Sequence, residues 1–240
     1  MQITAVQPGE VFRTVFRRHC LLLALVALYA AIIWSIPAPQ LGKISETALP
    51  AVVQNFVENI PQIICIILIW RLFYATFVVK PANRMAWMKE DVLDLLRNRE
   101  RLASGLVATI VVSFGLATYA RGKSLIPLLH EFSWDSAFMQ LDKSLHLGFQ
   151  PFEILHGIFA SSQMVGFVAY NYSFWFALMF FVLYTTCFVR SDSPARMQFL
   201  IAFVLTWAVG GHLVATIFSS AGPIYLERLG LGPAFAPPVQ

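Results

Sequence analysis

The sequence predicts an all-α, polytopic integral membrane protein, a helical bundle with about five transmembrane helices plus interfacial amphipathic helices. Apolar residues make up 58% of the chain and charged residues only 12%, whereas a soluble domain carries about 25% charged residues. Five long apolar runs also approach the roughly 20 residues that a membrane-spanning helix needs. The length of 240 residues fits one transmembrane domain, residues 1–240, without an added soluble domain.

Prolines and charged segments separate the apolar runs. The runs cover Cys20–Ile36, Pro61–Val79, Ala103–Ala120, Val165–Val189 and Met197–Phe218. A shorter apolar stretch, Phe152–Ala160, is interrupted by Glu153 and His156 and is too short to span. We therefore expect this stretch to lie at the membrane interface or to re-enter the membrane.

The distribution of basic residues predicts the orientation of the chain. Eleven Lys and Arg residues fall before the first run, between the second and third runs, and between the fourth and fifth runs. The other flanking segments hold five. Because Lys and Arg accumulate on the cytoplasmic side, we expect a cytoplasmic N-terminus. The outward face then fits a bacterial plasma membrane or a eukaryotic lumen. The segment 123–151 and the segment that begins at Ser219 then share the outward face.

The segment between the second and third runs has the pattern of an amphipathic helix. Apolar residues recur at helical spacing from Met85 to Leu102, with charged residues between them. Such a helix either lies on the inner leaflet, with its basic side chains toward anionic lipids, or is a solvated connector. Arg71, inside the second run, is either functional or extends toward an interface.

Polar residues in the outward segments are the candidates for a head-group site. Asp135 and Asp142 are seven residues apart and His146 follows four later, so all three fall on one face of a helix. That face either binds a polar group or belongs to an interfacial helix whose apolar side meets lipid. Further candidates are Arg121 and Lys123, which either meet a phosphate or anchor the helix to lipid head groups. Ser219, Ser220 and Gly222 are also candidates, because their small size lets a ligand approach, although the same residues also fit an ordinary Gly-Pro helix terminus.

Several of these segments together resemble the bacterial branch of the type 2 phosphatidic acid phosphatase superfamily, which is related to inositol phosphorylceramide synthases. The resemblance covers roughly residues 100–230. It is carried by Lys123-x-x-Ile-Pro127, Trp134-Asp135-x6-Asp142-x3-His146-x-Gly148-x-x-Pro151, Tyr170-Asn171 ahead of Trp175-Phe176, and Ser219-Ser-Ala-Gly-Pro223. The family implies a bundle of about six helices that cleaves or exchanges a phosphate ester on a lipid at the outward face, without metal or nucleotide.

The catalytic motifs of that family are missing. The family uses one histidine, oriented by an aspartate, as nucleophile and a second histidine as acid, and its motifs are Pro-Ser-x-His and a histidine followed four residues later by an aspartate. Neither pattern occurs in the 240 residues, nor does Lys-x6-Arg-Pro. No residue is therefore assigned as catalytic, and the chain is expected either to lack its catalytic helix or to be a degenerate member.

The sequence thus leaves two functions open. The first is a lipid phosphatase or inositolphosphotransferase-like protein that is incomplete for catalysis, and the second is a non-catalytic lipid-binding or assembly protein. The expected partner is a membrane lipid, with a second copy or a complementing membrane subunit as further candidates. No cofactor, metal site or nucleic-acid partner is expected, since Cys20, Cys65 and Cys187 lack metal or redox spacing and the net charge is only +4.

Overall fold

A computed structural model describes residues 8–37, 61, 64–159, 161–189, 193–225, 228 and 230. The described part of the chain is all-helical, as the sequence predicts. Its helices are α1 (Pro8–Ser35), α2 (Ile64–Val79), α3 (Arg84–Arg97), α4 (Arg99–Leu129), α5 (Asp135–Leu145), α6 (Pro151–Phe159), α7 (Ser162–Cys187) and α8 (Pro194–Ile217), followed by a 3₁₀ turn at Pro223–Tyr225. Residues 232–240, whose sequence shows no helical pattern, lie outside the described residues.

Four described helices are long and apolar enough to cross a membrane. They are α1, α4, α7 and α8. A fifth span is obtained only if α2 and α3, which meet at a bend of 117°, are counted as one. The second predicted run is therefore helical over Ile64–Val79, although α2 alone does not reach the length of the other four.

The described residues form two compact units. The first unit comprises Met1–Arg121 and Phe176–Ala208, and the second comprises Gly122–Trp175 and Val209–Gln240, so that α4, α7 and α8 contribute to both. The core of the first unit joins four helices through Leu22, Val26, Ala108, Val111, Val112, Leu183, Cys187, Leu200 and Val204. Between helices that cross a membrane, such a cluster contributes through close van der Waals packing, because lipid tails are as apolar as these side chains.

One buried arginine links these four helices. Arg196, in the first turn of α8, is 3% exposed. It donates to the carbonyl oxygens of Cys187 at 2.7 Å and Ser104 at 3.1 Å, and it lies 3.4 Å from Nε2 of His19. The carbonyls at the end of α7 are the negative end of a helix dipole, which favours a cation there. From the sequence, Arg196 was counted only as one of the basic residues between the fourth and fifth runs, so this structural role was missed.

The bend after α2 brings α3 back against it. Lys80 takes a left-handed conformation, with φ of 52°, and ends α2. Arg71 of α2 then forms an ion pair with Asp91 of α3, and its guanidinium lies 4.7 Å from the centre of the Trp87 ring. Arg71 is thus engaged by an acid twenty residues farther along the chain, a partner that the sequence pattern did not reveal.

Two helices extend beyond the predicted apolar runs. α1 begins at Pro8 rather than at Cys20, and α4 continues from Ala120 to Leu129. The start of the segment expected on the outward face, residues 123–127, is therefore helical. Arg and Lys are good helix formers, and Pro127 lies close enough to the end of α4 that only its last turn loses a backbone hydrogen bond.

The short apolar stretch at 152–160 forms α6, and its acidic residue has a local role. The carboxylate of Glu153 accepts a hydrogen bond of 2.8 Å from the backbone N–H of Gln150, while Pro151 occupies the first helical position. This is the backward half of a capping box. Gln150 itself is buried, at 1% exposure, and its amide donates to the carbonyl of Met139. Glu153 is thus explained by helix capping.

Candidate functional site

Asp135 is the centre of the polar cluster in the second unit. It lies in the first turn of α5 and is only 4% exposed. Its Oδ1 accepts hydrogen bonds from the Ser220 hydroxyl at 2.7 Å and from the Gly222 N–H at 3.0 Å. Its Oδ2 accepts one from the Ala221 N–H at 3.1 Å. Two segments that the sequence singled out separately are therefore joined by one carboxylate.

The backbone conformation at Gly222 allows the neighbouring N–H groups to point at the Asp135 carboxylate. Gly222 has φ of +96°, a left-handed conformation that side chains with a Cβ disfavour. Consecutive N–H groups around such a residue converge on one point and form an anion-binding nest. Here the nest holds the carboxylate of Asp135, and the Ser220 oxygen also accepts from the Gly222 N–H at 3.2 Å.

The hydrogen bonds determine the charge state of Asp135. Burial disfavours the carboxylate, but the donors from Ser220, Ala221 and Gly222 together outweigh it, so the pKa of Asp135 lies below its ordinary value. The group is therefore ionised at neutral pH. The nest and the hydroxyl supply the compensation that a buried charge requires.

A second link beside Asp135 is purely structural. Ser219 is fully buried, its carbonyl accepts from the Trp134 N–H at 3.1 Å, and its hydroxyl donates to the carbonyl of His130 at 3.3 Å. The Trp134 ring also meets Phe218 edge-on, with ring centres 4.8 Å apart. Ser219 therefore fixes the end of α8 to the start of α5, with its hydroxyl turned away from solvent.

A pocket of about 290 Å³ opens beside Asp135. It is lined by Asp135, Phe138, Met139, Leu141, Asp142, Ser220 and Pro223. The predicted pairing of Asp135 and Asp142 on one helix face is confirmed, because both carboxylates line it. The four apolar residues form its walls. One of the two readings that the sequence left open placed Phe138, Met139 and Leu141, together with Leu145, toward lipid.

His146 follows α5 and does not line the pocket, so its place on the face of Asp135 and Asp142 stays a prediction. α5 ends at Leu145, and His146 is not among the residues that line the pocket. Leu147 and Gly148 have φ of 57° and 91°, and the Gly148 N–H donates to the carbonyl of Lys143 at 2.7 Å. This geometry closes the helix as a Schellman motif. Nδ1 of His146 contacts the Asp142 carbonyl at 2.7 Å, so it carries the proton.

The two basic candidates do not line the pocket either. Lys123 is exposed on α4. Arg121 belongs to the first unit, where it is buried; its Nη2 donates to the Ile36 carbonyl at 3.3 Å, and its guanidinium lies 4.7 Å from the centre of the Trp34 ring. Both therefore remain predictions as head-group ligands, and the contacts of Arg121 describe a link between α1 and α4.

The lining of the pocket limits the chemistry that it can perform. Two carboxylates accept hydrogen bonds from hydroxyl or ammonium groups, whereas phosphoryl transfer needs cations or N–H donors around the phosphoryl oxygens. Among the described residues that line the pocket, none carries an imidazole. Within the described residues, no group of three or more His, Cys, Asp and Glu side chains is placed to hold a metal ion. The arrangement suits binding.

Comparison with known proteins does not extend this description. The chain matches no protein-family model, no curated protein and no solved structure.

Proposed function

We propose that this chain is an integral membrane protein that binds the polar head of a lipid in the pocket beside Asp135. In architecture it is of the lipid phosphatase and head-group transferase type, but it lacks the groups that would complete phosphoryl transfer. The observation that carries the proposal is that Asp135 joins α5 to the 219–223 segment around one pocket. This pairing supports the resemblance, because it relates two of its motifs in space.

The charge and shape of the pocket favour a lipid head with hydrogen-bond donors. Phe138, Leu141 and Pro223 offer apolar surface for the glycerol and upper acyl region, while Asp135 and Asp142 can accept from hydroxyl or ammonium groups. A phosphate would face two negative charges there. Head groups that carry hydroxyls or an amine should therefore bind better than a bare phosphate monoester.

The proposed orientation rests on the basic residues. With eleven Lys and Arg in one set of flanking segments and five in the other, the N-terminus lies in the cytoplasm, and the pocket opens on the outward face of what we take to be a bacterial plasma membrane. A lipid of the outer leaflet then reaches the pocket without crossing the bilayer.

Photo-crosslinking in lipid nanodiscs tests the binding proposal. Lipids with a diazirine near the glycerol should form adducts in residues 135–142 or 219–223, more with a phosphatidylinositol or phosphatidylethanolamine probe than with phosphatidate. Leu141→Trp should reduce the adducts because Leu141 lines the pocket. Leu145→Trp is the matched control, since Leu145 lies on the same helix and does not line it.

Two results would contradict the proposal. Adducts that are unaffected by Leu141→Trp would exclude this pocket as the binding site. Release of phosphate from phosphatidate above a protein-free blank would show that the chain completes catalysis by itself.

A further inference from the structure

One face of α3 is apolar and uncovered. Met85, Val92 and Leu96 fall within about 40° of one another on a helix that turns about 100° per residue. Their exposed fractions are 70%, 46% and 54%. Lys89, also exposed, lies beside them on the same face. We call this face the Met85 stripe, and it consists of these four residues.

The acidic residues of α3 all lie on the other half of the helix, where each has a basic partner. Asp91 forms an ion pair with Arg71 of α2. Asp94 lies 3.6 Å from a guanidinium nitrogen of Arg101, and Glu90 lies 3.5 Å from one of Arg97. The stripe therefore carries apolar surface and positive charge, without an acidic residue.

The helix that carries the stripe, α3, also follows directly after an apolar helix, α2. α2 and α3 are joined by residues 80–83 and meet at 117°. If α2 runs through a bilayer, a bend of this size turns α3 toward the plane of the membrane surface. The Arg71–Asp91 pair and the Trp87 contact hold the inner half of α3 against α2, which leaves the Met85 stripe as the half that is free to meet another surface.

We propose that the Met85 stripe docks onto an anionic lipid bilayer, with Met85, Val92 and Leu96 in the interface and Lys89 against negative head groups. A helix with this distribution of residues is typical of interfacial binding, and anionic lipids attract basic residues at the membrane surface. A second copy is a poorer occupant, because two-fold pairing of the stripe with itself would bring the two Lys89 side chains together. The proposal is independent of the Asp135 pocket.

Spin-label accessibility in nanodiscs tests it on the full chain. Cys20 and Cys65 are replaced by Ala, the buried Cys187 is kept, and a nitroxide is placed at Val92→Cys or, as a second position, Leu96→Cys. Glu90→Cys is the matched control on the other half of the helix, where the Glu90 side chain is 68% exposed. The discs contain phosphatidylcholine alone, or two parts of it to one part of phosphatidylglycerol.

The stripe should be protected by lipid. The collision ratio of oxygen to a nickel chelate should be several-fold higher at position 92 than at position 90, it should rise with phosphatidylglycerol, and Lys89→Gln should remove that rise. Equal nickel access at both positions would overturn the proposal in favour of a solvated connector. Exclusion of both reagents from position 92 would also overturn it, because protein would then cover the stripe. A collision ratio that does not change when phosphatidylglycerol is added would refute the selection of anionic lipid.

Discussion

The hydroxyl of Ser220 donates a 2.7 Å hydrogen bond to the carboxylate of Asp135, although the two residues are 85 positions apart in the sequence. The same carboxylate receives the backbone N–H groups of Ala221 and Gly222. The pocket depends on this contact because, together with the hydrogen bonds of Ser219, it holds the 219–223 segment against α5.

Loss of the Asp135 carboxylate should destabilise the protein strongly. Asp135→Ala removes the acceptor of the Ser220 hydroxyl and of the Ala221 and Gly222 N–H groups, and each hydrogen bond to a charged group contributes about 1.5–3 kcal/mol without adding fully. We expect a loss of about 3 kcal/mol in the free energy of unfolding, measured by denaturation in mixed detergent micelles. Asp142→Ala is the control, because Asp142 is partly exposed and its removal should cost much less. Equal losses would show that the nest does not hold Asp135 in solution.

The pH dependence of stability should carry the signature of Asp135. Because its folded-state pKa is lowered, its contribution is fully present above the unfolded-state value of about 3.9 and is lost as the pH falls through the folded-state value. The Asp135 contribution is therefore constant at neutral pH and declines only below about pH 4. The difference in melting temperature between the wild type and Asp135→Asn should shrink on acidification. A difference that grows as the pH falls would contradict the assignment.

Gly222→Ala should destabilise the protein, although the added methyl group has ample space. A Cβ built at Gly222 meets nothing within 4 Å, yet its φ is +96°, so the cost of Gly222→Ala is conformational and should be about 1–2 kcal/mol. Gly166→Ala is the matched control: Gly166 is also open, but it lies in α7, where Ala stabilises a helix by up to about 1 kcal/mol. Thermal unfolding of both variants should shift in opposite directions, and a neutral Gly222→Ala would argue against the nest.

Arg196 should be the most important basic residue of the first unit. Arg196→Met keeps a long apolar side chain but removes the donors to the Cys187 and Ser104 carbonyls. We expect a loss of about 3 kcal/mol, because hydrogen bonds to a charged group contribute about 1.5–3 kcal/mol each and do not add fully. Arg17→Met, at an exposed position of α1, should have little effect. The two variants are compared by detergent denaturation, where similar losses would show that Arg196 is not a special link.

Much of the helical framework could be predicted from the sequence, because each long apolar run indicates a helix and the segments rich in Lys and Arg separate one run from the next. The positions of α7 and α8 follow their runs closely. The ends of the helices were harder to predict from the sequence. Nothing in the pattern showed that α4 would continue past Pro127, or that the left-handed Leu147 would end α5 one residue before His146.

The site was predictable in part, and a physical reason separates what the sequence could predict from what it could not. Helical spacing relates Asp135 to Asp142 because it is a local property. The bond between Asp135 and Ser220, the burial of the Ser219 hydroxyl and the pair of Arg71 with Asp91 depend on tertiary contacts that no spacing encodes. Arg121 and Lys123, which were chosen by residue type and position in the chain, do not line the pocket, and neither do His146, Ser219 and Gly222.

The central claim is that two distant polar segments form one pocket at the outward membrane face. Its most direct test places single cysteines at Leu141 and Pro223, both of which line the pocket, in intact cells that are treated with a membrane-impermeant maleimide. Arg17→Cys, at a position expected to be cytoplasmic, is the internal control. We predict that positions 141 and 223 are both labelled from outside, while position 17 is labelled only after permeabilisation. Labelling of only one of the two pocket positions, or of neither, would contradict the account.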